Sequence, residues 1–426
     1  MKHFATVLAA GLTFLTSCGA RDRAPDVFFL VCDTLRADHL GCYGYERDVS
    51  PRLDELAAAS TRFDMALTSA PATMPAMWNM MLSQYQAEVP SPPEEFTLAE
   101  FFKSQGYRTG AFVAQRFLGA GMSNLDQGFD RYDDEQTLDQ YMTSKRRATS
   151  VTDSAIAWLE EGGDEPTFTW LVYFDPHDPY VPPDAHRGKY NALDAPFSGD
   201  RRGDGLMKDS GVEVSPEHKQ FLINAYDEEI RYMDLEVGRF LDHLRSSGRF
   251  DDAIVIFTSD HGEELGDNGG RWDHSQLLSQ EELHVPLLVK LPGEHAVSTV
   301  RQPVQNIDIY PTLVDYLEPE SSVLAGLSGK SLLPLLRGEQ QPDRVAYAFW
   351  ESQLARYDVR HKYWLIAESR ERGRQTVTEV HTGRGVQDPE LIQELYEETT
   401  LFWQTNEFEA QYFGDNVQRL KDLGYF

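Results

Sequence analysis

Four short runs of apolar residues, rich in β-branched and aromatic side chains, stand out along the chain. They are Val27–Cys32, Phe168–Phe174, Ala253–Thr258 and Val285–Leu291. They do not alternate with polar residues, which is typical of strands covered on both faces, as in a parallel sheet between two layers of helices. Asp33, Asp175 and Asp260 follow the first three runs. The pattern therefore predicts buried strands that stop at acidic residues.

Segments with the apolar spacing of amphipathic helices separate these runs. They are Leu53–Ala57, Leu98–Phe102, Ile156–Leu159 and Phe221–Leu244. The last segment has the clearest limits, because Ser215 and Pro216 are favourable at its N-cap and first position, and Gly248 follows its end. Strands that alternate with helices predict an α/β fold with a large doubly wound mixed sheet flanked by helices.

The chain changes character towards its C-terminus. Short aromatic runs at Val345–Trp350 and Tyr363–Ile366 predict a smaller antiparallel sheet. We therefore expect a main, catalytic domain at 27–318 and a C-terminal subdomain at 319–426. Residues 182–215 are rich in Asp, Gly, Pro and Arg, which predicts a long surface loop and a candidate substrate lid.

The N-terminus has the features of an export signal. A basic start is followed by the apolar run Phe4–Leu15, which is too short to span a bilayer and predicts a secretory signal peptide. The end of this run, Leu15-Thr16-Ser17-Cys18, resembles the lipobox of bacterial lipoproteins, in which the cysteine carries a lipid. We expect a signal peptide at 1–18, a tether at 19–26, and an exported cell-envelope lipoprotein held to the membrane through Cys18. The alternative is an ordinary signal peptide with an incidental cysteine.

Composition excludes two classes of protein. The 426 residues include 39 Lys+Arg and 69 Asp+Glu, which gives a formal net charge of −30. Such an excess of negative charge repels phosphate backbones, so nucleic acid is not an expected partner. The three cysteines can form one bridge at most, which excludes a disulfide scaffold.

Metal-binding residue types occur at the predicted strand ends. In a doubly wound sheet, ligands bind outside the carboxyl ends of the strands. Asp33 and Asp260 offer hard oxygen ligands, and His261 offers a softer nitrogen ligand. Any one strand end could be a polar loop start, but that alternative weakens because three strands stop at such groups, at Asp33, at the run Asp175–Asp178 and at Asp260-His261.

A series of short motifs occurs in a specific order along the chain. They are Asp33–Gly44 (DTLRADHLGCYG), Ser50–Ala57, Asp175–Tyr180 (DPHDPY), Thr258–Glu263 (TSDHGE), Val285–Leu287, Asn306–Leu313 and Leu420–Tyr425. Each motif alone is weak, but together and in this order they resemble the sulfatase family of the alkaline phosphatase superfamily. The resemblance covers nearly all of the chain after the signal peptide. It implies an alkaline phosphatase-like fold and an ester hydrolase.

The resemblance also implies a metal site at the strand ends. Asp33, Asp260 and His261 match the metal ligands of the family. The cofactor is expected to be one divalent ion, which is usually calcium in the family, although the histidine leaves manganese or zinc open. The family often has a second aspartate where this chain has Thr34, so one anionic ligand is expected to be missing.

Two histidines are candidates for acid–base chemistry. His177 and His274 match positions that contact the bound anion and the leaving group in sulfatases. A histidine near its ordinary pKa donates a proton or binds negative oxygens. A capping or loop role is the alternative for each. The strand-end position of His177 and the Trp272–His274 motif favour catalytic roles.

The nucleophile segment departs from the family pattern. Sulfatases have a cysteine or serine in a C-x-P-S-R segment, and this residue is converted to formylglycine. Here the segment is Thr73-Met74-Pro75-Ala76-Met77, so threonine replaces the cysteine and methionine replaces the arginine. Oxidation of threonine would give a ketone, so we expect Thr73 to act as a plain hydroxyl nucleophile at a helix start, where the dipole favours negative charge. The alternative is a helix N-cap.

Relatives that use threonine divide by their metal count. The two-metal phosphodiesterases need an Asp-x-x-x-His pair, and this chain has none, which favours one metal. The expected function is metal-dependent hydrolysis of sulfate, phosphate or phosphonate esters through Thr73. Alternatives are a phospho-group transferase and a non-catalytic binding protein that has lost the formylglycine residue. The expected partner is a small anionic ester, with a sulfated glycan as one option.

Overall fold

A computed structural model describes most of the chain between residues 23 and 350. The described residues are 23–85, 96–135, 146–163, 165–192, 214–275, 277–293 and 298–350, with three strands and three helical positions (390, 393 and 397) beyond them. The predicted signal peptide, the lipid-bearing Cys18 and the motif Leu420–Tyr425 lie outside the described residues. So does most of the predicted lid, since 193–213 falls outside.

Strands and helices alternate along the described residues. The strands are β1 (Val27–Cys32), β2 (Thr61–Phe63), β3 (Ala66–Leu67), β4 (Arg108–Val113), β5 (Arg131–Asp133), β6 (Thr167–Tyr173), β7 (Ile254–Ser259), β8 (Glu264–Asp267), β9 (Arg271–Asp273), β10 (His284–Val285), β11 (Leu287–Lys290), β12 (Ser298–Val300), β13 (Val304–Gln305), β14 (Val345–Trp350), β15 (Gln353–Asp358), β16 (Tyr363–Ala367) and β17 (Gln375–Glu379). The helices are α1 (Pro51–Ala57), α2 (Thr73–Leu82), α3 (Leu98–Ser104), α4 (Ala148–Glu160), α5 (Pro216–Ser246), α6 (Gln280–Leu283), α7 (Ile309–Leu317) and α8 (Leu333–Leu336).

The main sheet has eight strands in the order β12-β2-β11-β7-β1-β6-β4-β5. Strand β11 runs antiparallel to β7 and to β2, while the other neighbouring pairs are parallel. The prediction of a large mixed sheet is therefore confirmed. The fourth apolar run forms two strands, β10 and β11, because Pro286 between them has no N–H to donate to a ladder.

Helices cover both faces of this sheet and create two cores. Along β1, Val27, Phe29 and Val31 face a core shared with α2, α3 and α7. The alternate residues of the strand face a core shared with α1, α4 and α5, and they are Phe28, Leu30 and Cys32. Because side chains of a strand point alternately to opposite faces, a strand buried on both faces has a continuous apolar sequence.

The smaller C-terminal sheet is an antiparallel meander of β14, β15, β16 and β17. It is joined to the main body by hydrogen bonds from the Phe349 N–H to the Ser69 carbonyl oxygen at 2.9 Å and from Gln305 Nε2 to the Tyr347 carbonyl oxygen at 2.6 Å. The predicted antiparallel C-terminal sheet is thus confirmed. Ala346, Ala348 and the residues of α8 share one apolar core with the main domain.

Helix α5 has the limits that the sequence predicts. It begins at Pro216, and the Oγ atom of its N-cap Ser215 accepts a hydrogen bond from the His218 N–H at 3.2 Å. The helix ends at Ser246, and Gly248 follows with a φ of +72°, a conformation that favours glycine. None of the helices in the described ranges is both long and apolar enough to cross a membrane.

The register of the central strands decides where the site forms. Cys32, the last residue of β1, lies opposite Tyr173 of β6 and Ser259 of β7 in two parallel ladders. The residues that follow all three strands therefore emerge at the same edge of the sheet. This edge is the carboxyl end, where doubly wound folds bind their ligands.

Candidate active site

Asp33, Asp260 and His261 meet at the carboxyl edge of the sheet. His261 Nε2 lies 3.8 Å from Asp33 Oδ1 and 3.5 Å from Asp260 Oδ2. All three side chains are fully buried. One ligand atom from each residue lies within 4.8 Å of those of the other two, which is a spacing that a single metal ion can bridge.

Each of the two carboxylates has one oxygen held by hydrogen bonds and one oxygen without a partner. Gln115 Nε2 donates to Asp33 Oδ2 at 3.0 Å, and the N–H groups of Thr34 and His261 donate to Asp260 Oδ1 at 3.2 and 2.8 Å. Asp33 Oδ1 and Asp260 Oδ2 are buried and accept no hydrogen bond from the described residues. Such oxygens are costly to bury, so this donor set fits a cation.

The electrostatic environment of Asp33 favours the same interpretation. Burial raises the pKa of Asp33 well above its ordinary value, and the negative charges of Asp260 and Glu263 raise it further. A hydrogen bond from Gln115 acts in the opposite direction. Without a positive charge nearby, Asp33 would therefore be driven towards its protonated form.

His261 is held as a neutral ligand. Its Nδ1 lies 2.9 Å from the Gly262 carbonyl oxygen, which only accepts hydrogen bonds, so Nδ1 carries the proton. Burial lowers the pKa of His261 to about 4, although the charge of Asp260 acts to raise it. At neutral pH the Nε2 lone pair therefore faces the two unpartnered carboxylate oxygens.

Thr34 occupies the site in a strained conformation. Its φ is +54°, which is unusual for a β-branched residue. Its side chain is fully buried, and Oγ1 has no hydrogen-bond partner among the described residues. Its N–H donates to Asp260 Oδ1, so a neutral residue adjoins this carboxylate where the sequence pattern of the family often has an aspartate.

Thr73 begins helix α2 next to His261. Its Oγ1 lies 3.3 Å from His261 Nε2, and the residue is 1% exposed. The N-cap of α2 is Ala72, and no side chain caps this end, so the alternative interpretation of Thr73 as the N-cap is wrong. Met77, one turn later, is fully buried. The Thr73 hydroxyl therefore lies at the positive end of a helix and beside the Asp33, Asp260 and His261 group.

His177 and His274 lie side by side near this group. Their ring centroids are 5.1 Å apart, and the His274 ring is 4.4 Å from that of His261. His177 stacks on Phe174 at 4.5 Å, and its Nδ1 donates to the Asp178 carbonyl oxygen at 2.7 Å. These contacts fix the His177 ring and place its proton on Nδ1.

Two carboxylates flank the His274 ring. Its Nδ1 lies 3.1 Å from Asp273 Oδ1 and 3.5 Å from Glu263 Oε1. Glu263 is fully buried, and the His274 side chain is 9% exposed. These three residues form a second group whose ligand atoms lie within 4.8 Å of one another.

A pair of hydrogen bonds joins Ser275, which follows His274, to Pro71, which lies two residues before Thr73. The N–H and the Oγ of Ser275 each donate to the Pro71 carbonyl oxygen at 3.1 Å. Asp273 and Ser275 both have positive φ values, of +74° and +62°. The backbone on either side of His274 is thus strained and anchored, which fixes the histidine relative to Thr73.

The structure brings together every site residue that the sequence predicted. These are Asp33, Thr73, His177, Asp260, His261 and His274. Sequence reasoning gave no role to Gln115, Glu263, Asp273 or Ser275, although Glu263 and Asp273 lie inside motifs that it used. Gln115 follows the carboxyl end of β4, so the rule that ligands gather at strand ends was the signal that could have found it. No sequence feature pointed to a role for Ser275.

Comparisons with known proteins identify relatives of the chain. A family model described as sulfatase matches residues 25–319, and one described as N-sulphoglucosamine sulphohydrolase, C-terminal, matches residues 268–407. The chain is 25% identical over 353 residues to an ulvan-active sulfatase of Formosa agariphila, and the aligned region covers 76% of this chain and 67% of that protein. It is 26% identical over 387 residues to a choline-sulfatase of Rhizobium meliloti, with coverages of 74% and 72%.

Solved structures with the same fold include a phosphonate monoester hydrolase from Silicibacter pomeroyi. The TM-score is 0.72 at 20% identity, and the superposition covers 91% of this chain and 96% of that one. This similarity extends to the alkaline phosphatase-like arrangement of the sheet. The sulfatase match spans most of the chain and contains all six predicted site residues. The chain therefore belongs to the sulfatase family and is an ester hydrolase of the sulfatase superfamily.

Proposed function

We propose that this protein is a metal-dependent hydrolase that cleaves sulfate or phosphorus esters with Thr73 as its nucleophile. One observation supports the proposal above the others. The Thr73 hydroxyl lies 3.3 Å from His261 Nε2, at the edge where two buried carboxylate oxygens have no partner among the residues that the structure describes. A nucleophile, a cation site and a helix N-terminus thus converge on a position that suits an anionic ester.

Asp33, Asp260 and His261 would hold the metal ion. Two carboxylate oxygens and one imidazole nitrogen suit Mn²⁺ or Zn²⁺ as well as the Ca²⁺ that is usual in the family. A divalent ion bound there supplies positive charge that binds the ester anion and lowers the pKa of a nearby hydroxyl group. Gln115 orients Asp33, and the Gly262 carbonyl oxygen orients His261, so the ligands are held before the ion binds.

Thr73 would react by substitution at the sulfur or phosphorus atom. Its Oγ forms a bond to that atom as the hydroxyl proton passes to His177 or His274, and the bond to the leaving oxygen breaks with its electron pair. The leaving oxygen takes a proton from His177 or His274, which lie side by side in the site. Water then attacks the same atom, which releases the inorganic anion and restores the Thr73 hydroxyl.

The substrate class is a small anionic ester. Loss of both the formylglycine precursor and the arginine of the same segment favours phosphorus, whereas the sulfatase relatives favour sulfate, including sulfate on a sugar. A phospho-group transferase is the second candidate, because an acceptor alcohol in place of water would complete the same reaction. We also propose that the protein is exported and carries a lipid on Cys18, on the basis of its lipobox-like sequence.

One assay tests the nucleophile and the metal together. Purified protein is given aryl sulfate, phosphate monoester, phosphodiester and phosphonate monoester substrates, with and without a chelator. We expect Thr73→Ala to lower kcat by at least about a thousandfold, while Thr73→Ser, which keeps a hydroxyl group, retains measurable turnover. Full activity of Thr73→Ala would contradict the nucleophile assignment, and turnover after complete metal removal would contradict the metal site. The absence of any turnover would favour a non-catalytic binding protein.

A further inference from the structure

The site contains more negative charge than one divalent ion balances. Asp33, Asp260 and Glu263 are fully buried, and Asp273 lies beside Glu263 and His274. When ionised, these four carboxylates carry four negative charges, of which one divalent ion offsets two. The remainder would repel an anionic ester at short range, where the low dielectric of the interior strengthens the repulsion.

The positive side chain that the sulfatase pattern places in the nucleophile segment is absent. Its position is occupied by Met77, which is neutral and fully buried on α2. Arg36 lies near the Glu263 backbone, but its guanidinium binds the carboxylates of Asp38 and Asp267 as well as the Glu263 carbonyl oxygen. Another source of positive charge would therefore favour binding of an anion.

We propose that Glu263, Asp273 and His274 bind a second divalent cation beside the first. Their ligand atoms lie within 4.8 Å of one another, with His274 Nδ1 3.1 Å from Asp273 Oδ1 and 3.5 Å from Glu263 Oε1. Two carboxylates and an imidazole are a donor set for Mn²⁺ or Zn²⁺. None of these atoms belongs to the Asp33, Asp260 and His261 group, so two ions would not compete for a ligand.

The two groups adjoin through their histidines. The His261 and His274 rings are 4.4 Å apart between centroids. A second cation held by Glu263, Asp273 and His274 would therefore lie beside the group that holds the first. The second cation would supply the positive charge that Met77 lacks.

Counting bound ions tests this proposal without reference to activity. The full chain is freed of metal with a chelator and titrated with Mn²⁺ in excess Mg²⁺, which occupies weak surface carboxylates. Bound manganese is counted by mass spectrometry and calorimetry. We expect two tight equivalents for the unmodified protein and one for Asp273→Asn, because loss of a ligand lowers affinity by about tenfold or more. Asparagine tolerates the positive φ at this position, so the fold should be retained.

Matched variants identify which site is lost. Asp260→Asn should also bind one equivalent, and the double variant with Asp273→Asn should bind none. Asp153 is exposed, so Asp153→Asn should still bind two equivalents of manganese. Thr73→Ala should also bind two equivalents, so metal counting tests this proposal separately from the proposed nucleophile. Glu263→Gln provides a second test if Asp273→Asn does not fold. One equivalent in the unmodified protein, or two in both Asp273→Asn and Glu263→Gln, would overturn the proposal and favour a simple ion pair on His274.

Discussion

Individual residues at the site are arranged for function and against stability. Within the described part of the chain, Asp33 and Asp260 each bury an oxygen without a partner, and burial raises the pKa of Asp33 well above its ordinary value. A protein selected for stability alone would place an apolar or amide side chain there. Such a conflict between the stability of the fold and the requirements of function is typical of catalytic sites.

Asp33→Asn should therefore stabilise the metal-free protein. The asparagine oxygen can still accept the hydrogen bond from Gln115, while the buried negative charge is removed. We expect the free energy of unfolding at pH 8, in chelator, to rise by about 1–3 kcal/mol, measured by urea denaturation. Added divalent metal should stabilise the unmodified protein more than the variant, which lacks one ligand of the Asp33, Asp260 and His261 group. An equal effect of Asp153→Asn, an exposed control, would argue against this explanation.

Thr34→Asp should strengthen metal binding. The substitution adds a third carboxylate beside Asp33 and Asp260, and aspartate tolerates the φ of +54° better than a β-branched residue. We expect the affinity for a divalent ion to increase about tenfold, measured by calorimetry. Thr34→Ser keeps the hydroxyl without a charge and should leave the affinity close to that of the unmodified protein. Unchanged affinity in Thr34→Asp would mean that this position does not face the ion.

Much of the site could be predicted from the sequence at this scale. Asp33, Asp260 and His261 follow strands directly, so the fold rule for strand ends locates them. Thr73 could not be assigned from local sequence, because a hydroxyl residue before a helix is equally typical of an N-cap. Ser275 could not be found at all, since its two hydrogen bonds to the Pro71 carbonyl oxygen depend on a contact between distant loops.

At the scale of elements, helix α5 carries buried acidic residues that hold neighbouring segments. Glu228 Oε1 accepts hydrogen bonds from the N–H groups of Gly188, Tyr190 and Asn191 at 3.0, 3.0 and 3.1 Å. This carboxylate fixes the described start of the predicted lid. The sequence predicted the helix and its limits from apolar spacing and capping residues, but a buried acid on an amphipathic helix gives no sign of which loop it binds.

Another acid of α5, Asp234, should make stability depend on pH. Its oxygens accept hydrogen bonds from the N–H groups of Arg52 and Leu53 at the start of α1. Burial raises its pKa to about 7, although these hydrogen bonds act to lower it. A raised pKa means that the folded state favours the protonated form. The stability that protonated Asp234 contributes is therefore full below pH 3.8, its ordinary pKa, and is lost as the pH rises through about 7.

The measurement compares the free energy of unfolding at pH 5 and pH 8 in the unmodified protein and in Asp234→Asn. The unmodified protein should lose on the order of 1–3 kcal/mol more than the variant between these values. Asp242→Asn, on the exposed face of the same helix, is the control and should keep the full pH dependence. A parallel decline in all three proteins would show that other groups cause the effect.

At the scale of the whole molecule, the charge of −30 opposes the arrival of an anionic substrate. Salt screens this repulsion, since the Debye length falls from about 30 Å at 0.01 M to about 8 Å at 0.15 M. We expect kcat/KM to rise by about twofold to tenfold over this range, measured with potassium chloride. A phosphate monoester, with two charges, should respond more than an aryl sulfate with one. A fall in kcat/KM with salt would mean that the local positive field at the site dominates encounter.

The position of β1 has a consequence for how this chain is made. Its two edges pair with β6 and β7, which are both much later in the sequence, and Ser259 Oγ donates to the Cys32 carbonyl oxygen across 227 residues. At about 5–20 residues per second, a ribosome needs about 10–45 s to supply that stretch. During this time the edge of β1 that pairs with β7 stays open, and unpaired edges of apolar strands are prone to aggregation. No fragment that ends before β7 can complete the site, and activity therefore appears only when nearly the whole main domain has been synthesised.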